Sequence, residues 1–295
     1  MRLPRLRVVA ELLKPITWFP PMWAFACGVV ASNQSFSDNS WLIFLGLVLT
    51  GPLVCATSQA VNDWFDRHVD AINEPHRPIP SGRMPGRWGL YIAVLWTLLS
   101  LLWAWQLGPW GFAASGLGLL LAWAYSAPPV RLKANGWWGN TACALSYEGL
   151  AWVTGAAVML GGAMPAVESI VLAFIFSVGA HGIMTLNDFK AVEGDAQMGI
   201  RSLPVQLGVH RAAFTACAFM LLSQLAVVGL LYHWGFDKSA WTVLALCLAQ
   251  LPLMRAFVMD PIQQAIKLSA FGVPLFVSAM MVSAWALRAM QGEAA

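Results

Sequence analysis

Long apolar runs separated by short polar segments fill the chain from residue 17 to residue 287. Each run is close to the ~20 residues that an α-helix needs to cross a bilayer. A helix also satisfies its backbone hydrogen bonds internally, as lipid requires. The pattern therefore predicts about nine transmembrane helices. Their predicted bounds are 17–33, 41–61, 88–107, 109–126, 138–160, 166–187, 211–232, 240–258 and 270–287.

The composition supports an all-α polytopic membrane protein. Hydrophobic residues make up 59% of the 295 residues and charged residues only 11%, whereas a soluble domain carries about 25% charged residues. The first apolar run is broken by prolines and lacks a small-residue cleavage site, so we expect no cleavable leader. The five cysteines stand singly in apolar runs, which favours reduced, packed thiols. We expect the lipid bilayer, and no nucleic acid, as a partner.

The distribution of Lys and Arg predicts the orientation in the membrane. With a cytoplasmic N-terminus, all of these residues except Lys238 and Arg288 fall on the cytoplasmic side. The positive-inside rule strongly favours this arrangement. The longest loops, about 62–87, 127–137 and 188–210, then lie in the cytoplasm. We therefore expect the functional site at the cytoplasmic face.

Two acidic segments stand at the cytoplasmic ends of the second and sixth predicted helices. Residues 62–70 and 187–195 both open with Asn-Asp-aromatic and close with Asp. Their spacing predicts a parallel internal repeat of helices one to four and five to eight, with a ninth helix added. We expect one domain, 1–295, with halves of about 1–137 and 138–268. A central cavity between the halves would open to the cytoplasm.

The carboxylates of these segments suit a metal-bound diphosphate. Asp63, Asp66 and Asp70 follow an i, i+3, i+7 spacing and fall on one helix face. Mg²⁺ usually binds one or two carboxylates together with substrate phosphates. Asp63 and Asp70 are about 10 Å apart along a helix, so either two metal sites or a helix break after Asp66 is expected. The alternative is that both segments are ordinary solvated helix ends.

Amide and cationic side chains near the acidic segments could bind the phosphate oxygens directly. A diphosphate held by metal and cations can leave an allylic carbon, and an apolar lumen would shield the resulting cation from water. Each cation could instead be a loop charge of the positive-inside pattern, and the tyrosine an interfacial belt residue. The candidate diphosphate ligands are Asn62, Arg77, Tyr125, Arg131, Lys133, Asn187, Lys190 and Arg201.

Two ionisable residues lie inside predicted membrane spans, where such groups are functional candidates. Glu148 could hydrogen-bond a large planar substrate, or it could form a structural pair with His181. His181 lies two turns from Asp188 on the same helix face. His181 could bind a metal, since imidazole is a familiar metal ligand, or it could be a packed, hydrogen-bonded histidine.

These motifs resemble the UbiA-type intramembrane prenyltransferase superfamily. Residues 70–82, 125–137 and 187–195 resemble its chlorophyll and bacteriochlorophyll synthase branch, and residues 62–67 and 81–88 resemble the bacteriochlorophyll side of that branch. The resemblance covers essentially the whole chain. It implies a Mg²⁺-dependent esterification of the propionate of bacteriochlorophyllide with geranylgeranyl or phytyl diphosphate. With such a substrate, Glu148 could hydrogen-bond a macrocycle substituent and His181 could bind the central Mg of the macrocycle. It also implies a bacterial inner or intracytoplasmic photosynthetic membrane, with other pigment-biosynthesis or assembly proteins as further candidate partners.

The resemblance assigns Asp63, Asp66 and Asp70 to a first metal motif, and Asp188 with Asp195 to a second. The superfamily's second motif usually carries another carboxylate three or four positions after the first. Those positions hold Ala191 and Val192 here. Glu193 and Asp195 are therefore both candidates to complete the second motif.

Other functions remain open at this point. Within the enzyme class, the alternatives are chlorophyll synthase and a prenyltransferase acting on a haem or quinone precursor. A cation-coupled secondary transporter is the alternative from another class. Transporters usually place coupling sites near the midplane on broken helices. Here the carboxylates cluster at one face beside basic loops, which favours an enzyme.

Overall fold

The computed structural model describes residues 3–293, so residues 1–2 and 294–295 of the predicted domain lie outside it. The described chain is a helical bundle. Its helices are α1 (Leu6–Leu13), α2 (Phe19–Ala31), α3 (Ser40–Val48), α4 (Ala56–Asn73), α5 (Trp88–Ala104), α6 (Gly108–Ser126), α7 (Gly136–Ala144), α8 (Ala151–Met159), α9 (Val167–Asp188), α10 (Val192–Gln197), α11 (Leu203–Leu207), α12 (Val209–His233), α13 (Asp237–Met259), α14 (Pro261–Lys267) and α15 (Val273–Glu293).

Every predicted apolar run lies in helix, but the number of membrane crossings stays a prediction. The first run corresponds to α2, which has only 13 residues, and the fifth corresponds to α7 and α8. Within residues 3–293, six helical stretches are long and apolar enough to cross a membrane by length and composition. They are Ser40–Ile72, Trp88–Ser126, Val167–Asp188, Val209–His233, Asp237–Met259 and Pro261–Met290.

Three π-helical turns interrupt the long helices and contribute to one central cavity. They occupy Leu49–Cys55, Leu145–Leu150 and Leu268–Gly272. The first contains Pro52, which cannot donate a backbone hydrogen bond; the Trp96 indole donates to the Pro52 carbonyl at 3.1 Å. Such turns are frequent at functional sites. Residues of all three line the cavity.

The α2–α8 interface shows why small residues hold the bundle together. A Cβ on Gly28 would lie 1.9 Å from the Trp152 carbonyl oxygen, and one on Gly155 would lie 2.2 Å from that of Phe25. Only glycine permits so close an approach, and small residues are typical of membrane helix contacts. Trp152 is fully buried there and donates to the Ser169 hydroxyl at 3.0 Å. This interface supports the π-helical wall of the cavity.

Helix α1 is amphipathic and lies against α4 and α5. Its apolar face, Val8, Leu12 and Leu13, is buried. On the opposite side, Arg83 pairs with the Glu11 carboxylate through contacts of 2.5 and 2.6 Å. The helix ends at a left-handed residue, Lys14, with φ of 47°. This turn directs the Lys14 side chain to the cavity.

Candidate active site

A cavity of about 1070 Å³ lies among α4, α6, α7, α9 and α10. Part of its wall is apolar, with Leu49, Val54, Leu121, Leu150 and Ile183. The remainder carries most of the candidate residues. Its charged and polar lining includes Lys14, Asn62, Asp66, Asp70, Glu74, Arg77, Tyr125, Lys133, Asn187, Asp188, Lys190, Glu193 and Asp195.

The first acidic segment lies on one unbroken helix. Helix α4 continues through Asp63, Asp66 and Asp70 to Asn73, so the predicted break after Asp66 is absent from the described chain. Asp66 and Asp70 line the cavity. Asp63 is only 1% exposed and lies behind them. The three carboxylates therefore do not play equivalent structural roles.

Cations neutralise the two outer carboxylates. Lys14 Nζ lies 2.6 Å from Asp63 Oδ1. The Arg77 guanidinium lies 2.9 Å from Asp70 Oδ2 and 3.5 Å from Asp63 Oδ1. One guanidinium thus spans carboxylates seven residues apart on α4. This arrangement fixes Arg77 at the edge of the cavity.

Asp66 has a separate set of partners. Lys133 Nζ contacts Asp66 Oδ2, and an Arg131 guanidinium nitrogen lies 3.6 Å from Asp66 Oδ1. The Asn62 amide donates to Asp66 Oδ2 at 3.0 Å. The loop after α6 supplies both cations. Three predicted diphosphate ligands therefore surround one carboxylate at the cavity.

The second acidic segment is divided between two helices. Helix α9 ends at Asp188, and the short helix α10 carries Glu193 and Asp195. The Asn140 amide donates to Asp188 Oδ2 at 3.1 Å and to the Thr185 hydroxyl at 3.2 Å. Within residues 3–293, these three carboxylates form no ion pair shorter than 4.0 Å. On this side of the described cavity the carboxylates therefore have no direct ion pair with a cation.

The two clusters share one electrostatic environment. Burial raises the pKa of Asp195, the Asp66 charge raises it further, and Lys133 opposes both effects. Burial lowers the pKa of Lys133, and the Asp66 carboxylate opposes that shift. Charges on α4, on α10 and on the loop after α6 thus influence one another across the cavity. Such coupling is typical of sites that handle charged ligands.

Other predicted site residues lie outside the cavity lining. Arg201 is exposed, and its backbone pairs with the carbonyl of Ala134 and the amide of Gly136. Glu148 is 3% exposed, and its Oε2 has no hydrogen-bond partner within the described chain. This placement does not favour direct ligand contact by either side chain.

The predicted pair between Glu148 and His181 is not formed. His181 Nδ1 lies 3.1 Å from the Thr141 hydroxyl instead. The His181 ring stacks on Trp137 at 5.7 Å and packs on Phe219 at 4.7 Å between centroids. His181 therefore has the contacts of a packed, hydrogen-bonded histidine. Its predicted role with a macrocycle stays a prediction.

The carboxylates fit a divalent metal only in combination with a ligand. Within the described chain, no group of three or more Asp, Glu, His or Cys side chains forms a complete metal site. Lys14, Arg77 and Lys133 occupy the first cluster instead. Asp66 Oδ1 is nevertheless buried without a hydrogen-bond partner. An oxygen-only donor set that leaves room for phosphates is what Mg²⁺ prefers.

The sequence interpretation missed three residues of this site. Lys14 is one of the cytoplasmic charges of the positive-inside pattern, and that pattern does not predict its contact with Asp63. Asn140 positions Asp188, and Tyr147 accepts or shares hydrogen bonds within the cavity. Asn140 and Tyr147 are polar residues inside the apolar predicted span 138–160, and this position is the signal that could have identified them.

The comparisons with known proteins define the class of the chain. A sequence profile of the UbiA prenyltransferase family matches residues 18–287. The chain therefore belongs to this family and is a multi-pass membrane prenyltransferase.

Three synthases are similar to this chain over at least 95% of its length. The Bacteriochlorophyll synthase 33 kDa chain of Cereibacter sphaeroides is 54% identical over 288 residues, covering 98% of this chain and 95% of the relative. The Bacteriochlorophyll synthase 34 kDa chain of Chloroflexus aurantiacus is 44% identical, with coverages of 95% and 89%. The chloroplastic chlorophyll synthase of Oryza sativa subsp. japonica is 37% identical, with coverages of 95% and 76%.

Solved structures support the fold. A digeranylgeranylglyceryl phosphate synthase has a TM-score of 0.70 at 21% identity and covers 95% of this chain and 98% of its own. A UbiA homolog from Archaeoglobus fulgidus bound to GPP and Mg²⁺ has a TM-score of 0.67 at 20% identity, with coverages of 91% and 99%. These likenesses confirm the all-helical UbiA fold.

Proposed function

We propose that this chain esterifies the propionate of bacteriochlorophyllide with geranylgeranyl or phytyl diphosphate and releases diphosphate. The observation that carries the proposal is the 54% identity to a bacteriochlorophyll synthase chain over 98% of this sequence. The lower identity of 37% to a chlorophyll synthase favours the bacteriochlorophyll substrate. Family membership favours an enzyme over the transporter alternative.

The geometry supports a role for the carboxylates in holding Mg²⁺. Asp66, Asp70, Asp188 and Asp195 line the cavity from both sides and would hold the metal, with Glu193 as a further candidate. When bound, the metal supplies positive charge to a diphosphate leaving group. Asp63 is the predicted ligand that this arrangement supports least, because Lys14 and Arg77 already occupy it.

The chain's own cations and amides would bind the diphosphate. Arg77, Lys133 and Lys190 line the cavity, and each can exchange a carboxylate or solvent for a phosphate oxygen. Asn62, Tyr125 and Asn187 lie on the same lining and can add neutral hydrogen bonds. Arg131 is not part of the cavity lining and would contribute indirectly, by its ion pair with Asp66. These contacts orient the leaving group.

The reaction needs no strong general base. The propionate is already anionic at neutral pH, since ordinary carboxyl groups have a pKa near 4. The allylic C–O bond breaks, its electron pair leaves with diphosphate, and a carboxylate oxygen forms the new C–O bond. The apolar cavity wall excludes water from the allylic cation. This accounts for a site built from acids and cations without a nucleophilic side chain.

The membrane arrangement is part of the proposal. Nine crossings, a cytoplasmic N-terminus and a single domain with parallel halves of about 1–137 and 138–268 account for the helix order and the charge distribution. The cavity would then open to the cytoplasmic face of a bacterial inner or photosynthetic membrane. The diphosphate headgroup of the prenyl substrate would reach the charged end of the cavity from that side.

A direct assay tests the proposal. Membranes containing the protein are incubated with bacteriochlorophyllide, geranylgeranyl or phytyl diphosphate, and Mg²⁺, and the products are identified by mass. We expect the prenyl ester, no ester in EDTA, and recovery with added Mg²⁺. Parallel reactions contain chlorophyllide or the methyl ester of the macrocycle. Preferential use of chlorophyllide, prenylation of the methyl ester, or full activity in EDTA would each contradict the proposal.

A further inference from the structure

A second polar cluster lies in the cavity, and it contains no charged residue. Its centre is the Tyr147 hydroxyl on the π-helical turn Leu145–Leu150. The Ser58 hydroxyl lies 3.0 Å from Tyr147 Oη, the Gln59 amide donates to it at 3.4 Å, and the Cys55 thiol donates at 3.4 Å. All four residues line the cavity. We call this set the neutral cluster.

The hydrogen bonds of the neutral cluster leave one donor and the acceptor of the Gln59 amide without a partner in the described chain. Tyr147 Oη accepts from Cys55 and Gln59, so its own proton can go to Ser58. The Ser58 hydroxyl donates to the Cys55 carbonyl at 2.8 Å. The Gln59 amide has two N–H donors and one carbonyl acceptor, but it makes a single hydrogen bond within the described chain.

A second polar group without a hydrogen-bond partner in the described chain lies on the same π-helical turn. Ser146 precedes Tyr147 on the π-helical turn and also lines the cavity. Its hydroxyl is buried and makes no hydrogen bond within residues 3–293. Buried polar groups normally have a hydrogen-bond partner, because an unpaired one destabilises the folded state. The cavity lining therefore includes neutral hydrogen-bonding groups, on α4 and on the π-helical turn, that have no further partner in the described chain.

The neutral cluster stands at a fixed depth relative to the charged end. Cys55, Ser58, Gln59, Asn62 and Asp66 follow the spacing i, i+3, i+4, i+7 and i+11, so they share one face of the α4 helix and its preceding turn. At 1.5 Å per residue, Gln59 is about 10 Å from Asp66 along the helix axis. A diphosphate bound beside Asp66 would place its allylic carbon between these two levels.

We infer that the neutral cluster is the subsite for the carboxylate of the acceptor, with Gln59 as its ligand-contacting residue and Tyr147 as the residue that positions Gln59. This inference rests on the proposed function, since it requires an acceptor carboxylate. Neutral donors suit the task better than a cation would. A lysine or arginine would repel the developing allylic cation and would hold the carboxylate too tightly to react. Neutral hydrogen bonds orient it and leave it nucleophilic.

The test combines a charge introduced at Gln59 with a comparison of the acid and methyl ester forms of the macrocycle. Binding of bacteriochlorophyllide and of its methyl ester is measured in detergent without prenyl diphosphate, and the KM for each substrate is measured during turnover. Gln59→Glu places a negative charge beside the carboxylate and should weaken macrocycle binding about 10- to 100-fold, the equivalent of one hydrogen bond to a charged group. The KM for prenyl diphosphate should stay unchanged.

Two further variants separate positioning from folding. Gln59→Leu should bind the acid and the methyl ester equally, whereas the wild type should prefer the acid. Tyr147→Phe should weaken acid binding in the same direction but less. Thr57→Val is the matched control, because Thr57 is fully buried on α4 and donates to the Leu53 carbonyl away from the cavity. It should leave both substrates unaffected.

The outcomes distinguish this inference from the proposed function. If the wild type esterifies bacteriochlorophyllide but Gln59→Glu binds it normally, the neutral cluster is not the carboxylate subsite. If the KM for prenyl diphosphate rises in Gln59→Glu instead, the cluster serves the diphosphate and the inference is overturned. If the wild type forms no ester at all, the proposed function itself fails.

Discussion

The two acidic segments begin alike in sequence but differ in their surroundings. On α4, the three carboxylates are close to Lys14, Arg77 and Lys133. At the end of α9, Asp188 is held by the neutral amide of Asn140, and the carboxylates of α10 have no cation within 4.0 Å in the described chain. One side of the cavity is therefore balanced in charge by direct ion pairs, and the other side has none among the described residues.

This difference assigns different tasks to similar motifs. A balanced cluster can exchange partners, because its cations can turn from carboxylate to phosphate at little cost in net charge. An uncompensated cluster attracts cations and needs one to offset its self-repulsion. We expect the α9–α10 side to respond most to metal concentration. The α4 side should respond to both metal and diphosphate.

The largest expected effect comes from carboxylates that face the cavity. Asp66→Asn and Asp188→Asn should each lower kcat about 100- to 1000-fold, comparable to the loss of one preorganised electrostatic contact. The measurement is ester formation at saturating substrates over a Mg²⁺ titration. Asp38→Asn, an exposed carboxylate in the loop before α3, is the control and should match the wild type. Near-normal rates in Asp66→Asn or Asp188→Asn would remove that residue from the site.

An intermediate effect should decide which residue completes the second motif. Asp195 is partly buried and interacts electrostatically with Asp66 and Lys133, whereas Glu193 is exposed. Asp195→Asn should weaken the apparent Mg²⁺ affinity about 10- to 100-fold. Glu193→Gln should change it less. A larger effect of Glu193→Gln would exchange the two roles.

The same pair predicts a difference in pH dependence. Asp195 must be ionised to bind a cation, and its pKa is raised by burial. Its contribution should therefore be present above that raised pKa and be lost as the pH falls through it. Acid should weaken metal binding at a higher pH than an ordinary Asp would require. In Asp195→Asn this part of the pH profile should disappear, while in Glu193→Gln it should remain.

Local patterns in the sequence predicted much of the fold. Run length and hydrophobicity placed helices at every predicted span, because those signals are local. The i, i+3, i+7 spacing also predicted that Asp63, Asp66 and Asp70 share a helix face, but it left open a helix break after Asp66 that the described chain does not contain. The resemblance to a known family indicated the same class of enzyme that the comparisons define.

Other features depend on distant contacts that no local pattern encodes. Lys14 meets Asp63 across 49 positions, and Asn140 meets Asp188 across 48. In the second acidic segment, Phe189 follows the last residue of α9 and is buried against Phe257, with 4.9 Å between the ring centroids. The backbone pairing of Arg201 likewise depends on the loop after α6. Charge alone could not separate these structural roles from ligand binding.

The smallest expected effect concerns the contact that ties α1 to the balanced side. Among the described residues, Lys14→Met leaves the buried Asp63 with Arg77, at 3.5 Å, as its only cation within 4.0 Å. Removing one partner of a fully buried pair costs about 3–5 kcal/mol. The Lys14 side chain is 21% exposed, so solvent screening reduces the expected loss of unfolding free energy to about 1–2 kcal/mol. Adding Asp63→Asn should recover part of this loss, because the double variant no longer buries a poorly compensated charge. The free energies of unfolding of the wild type, the two single variants and the double variant are measured by reversible unfolding in mixed detergent micelles.

Arg83→Gln is the control, because it removes the exposed pair with Glu11 and should have no resolvable effect on the free energy of unfolding. Strictly additive losses for Lys14→Met and Asp63→Asn would show that the contact does not stabilise the balanced side.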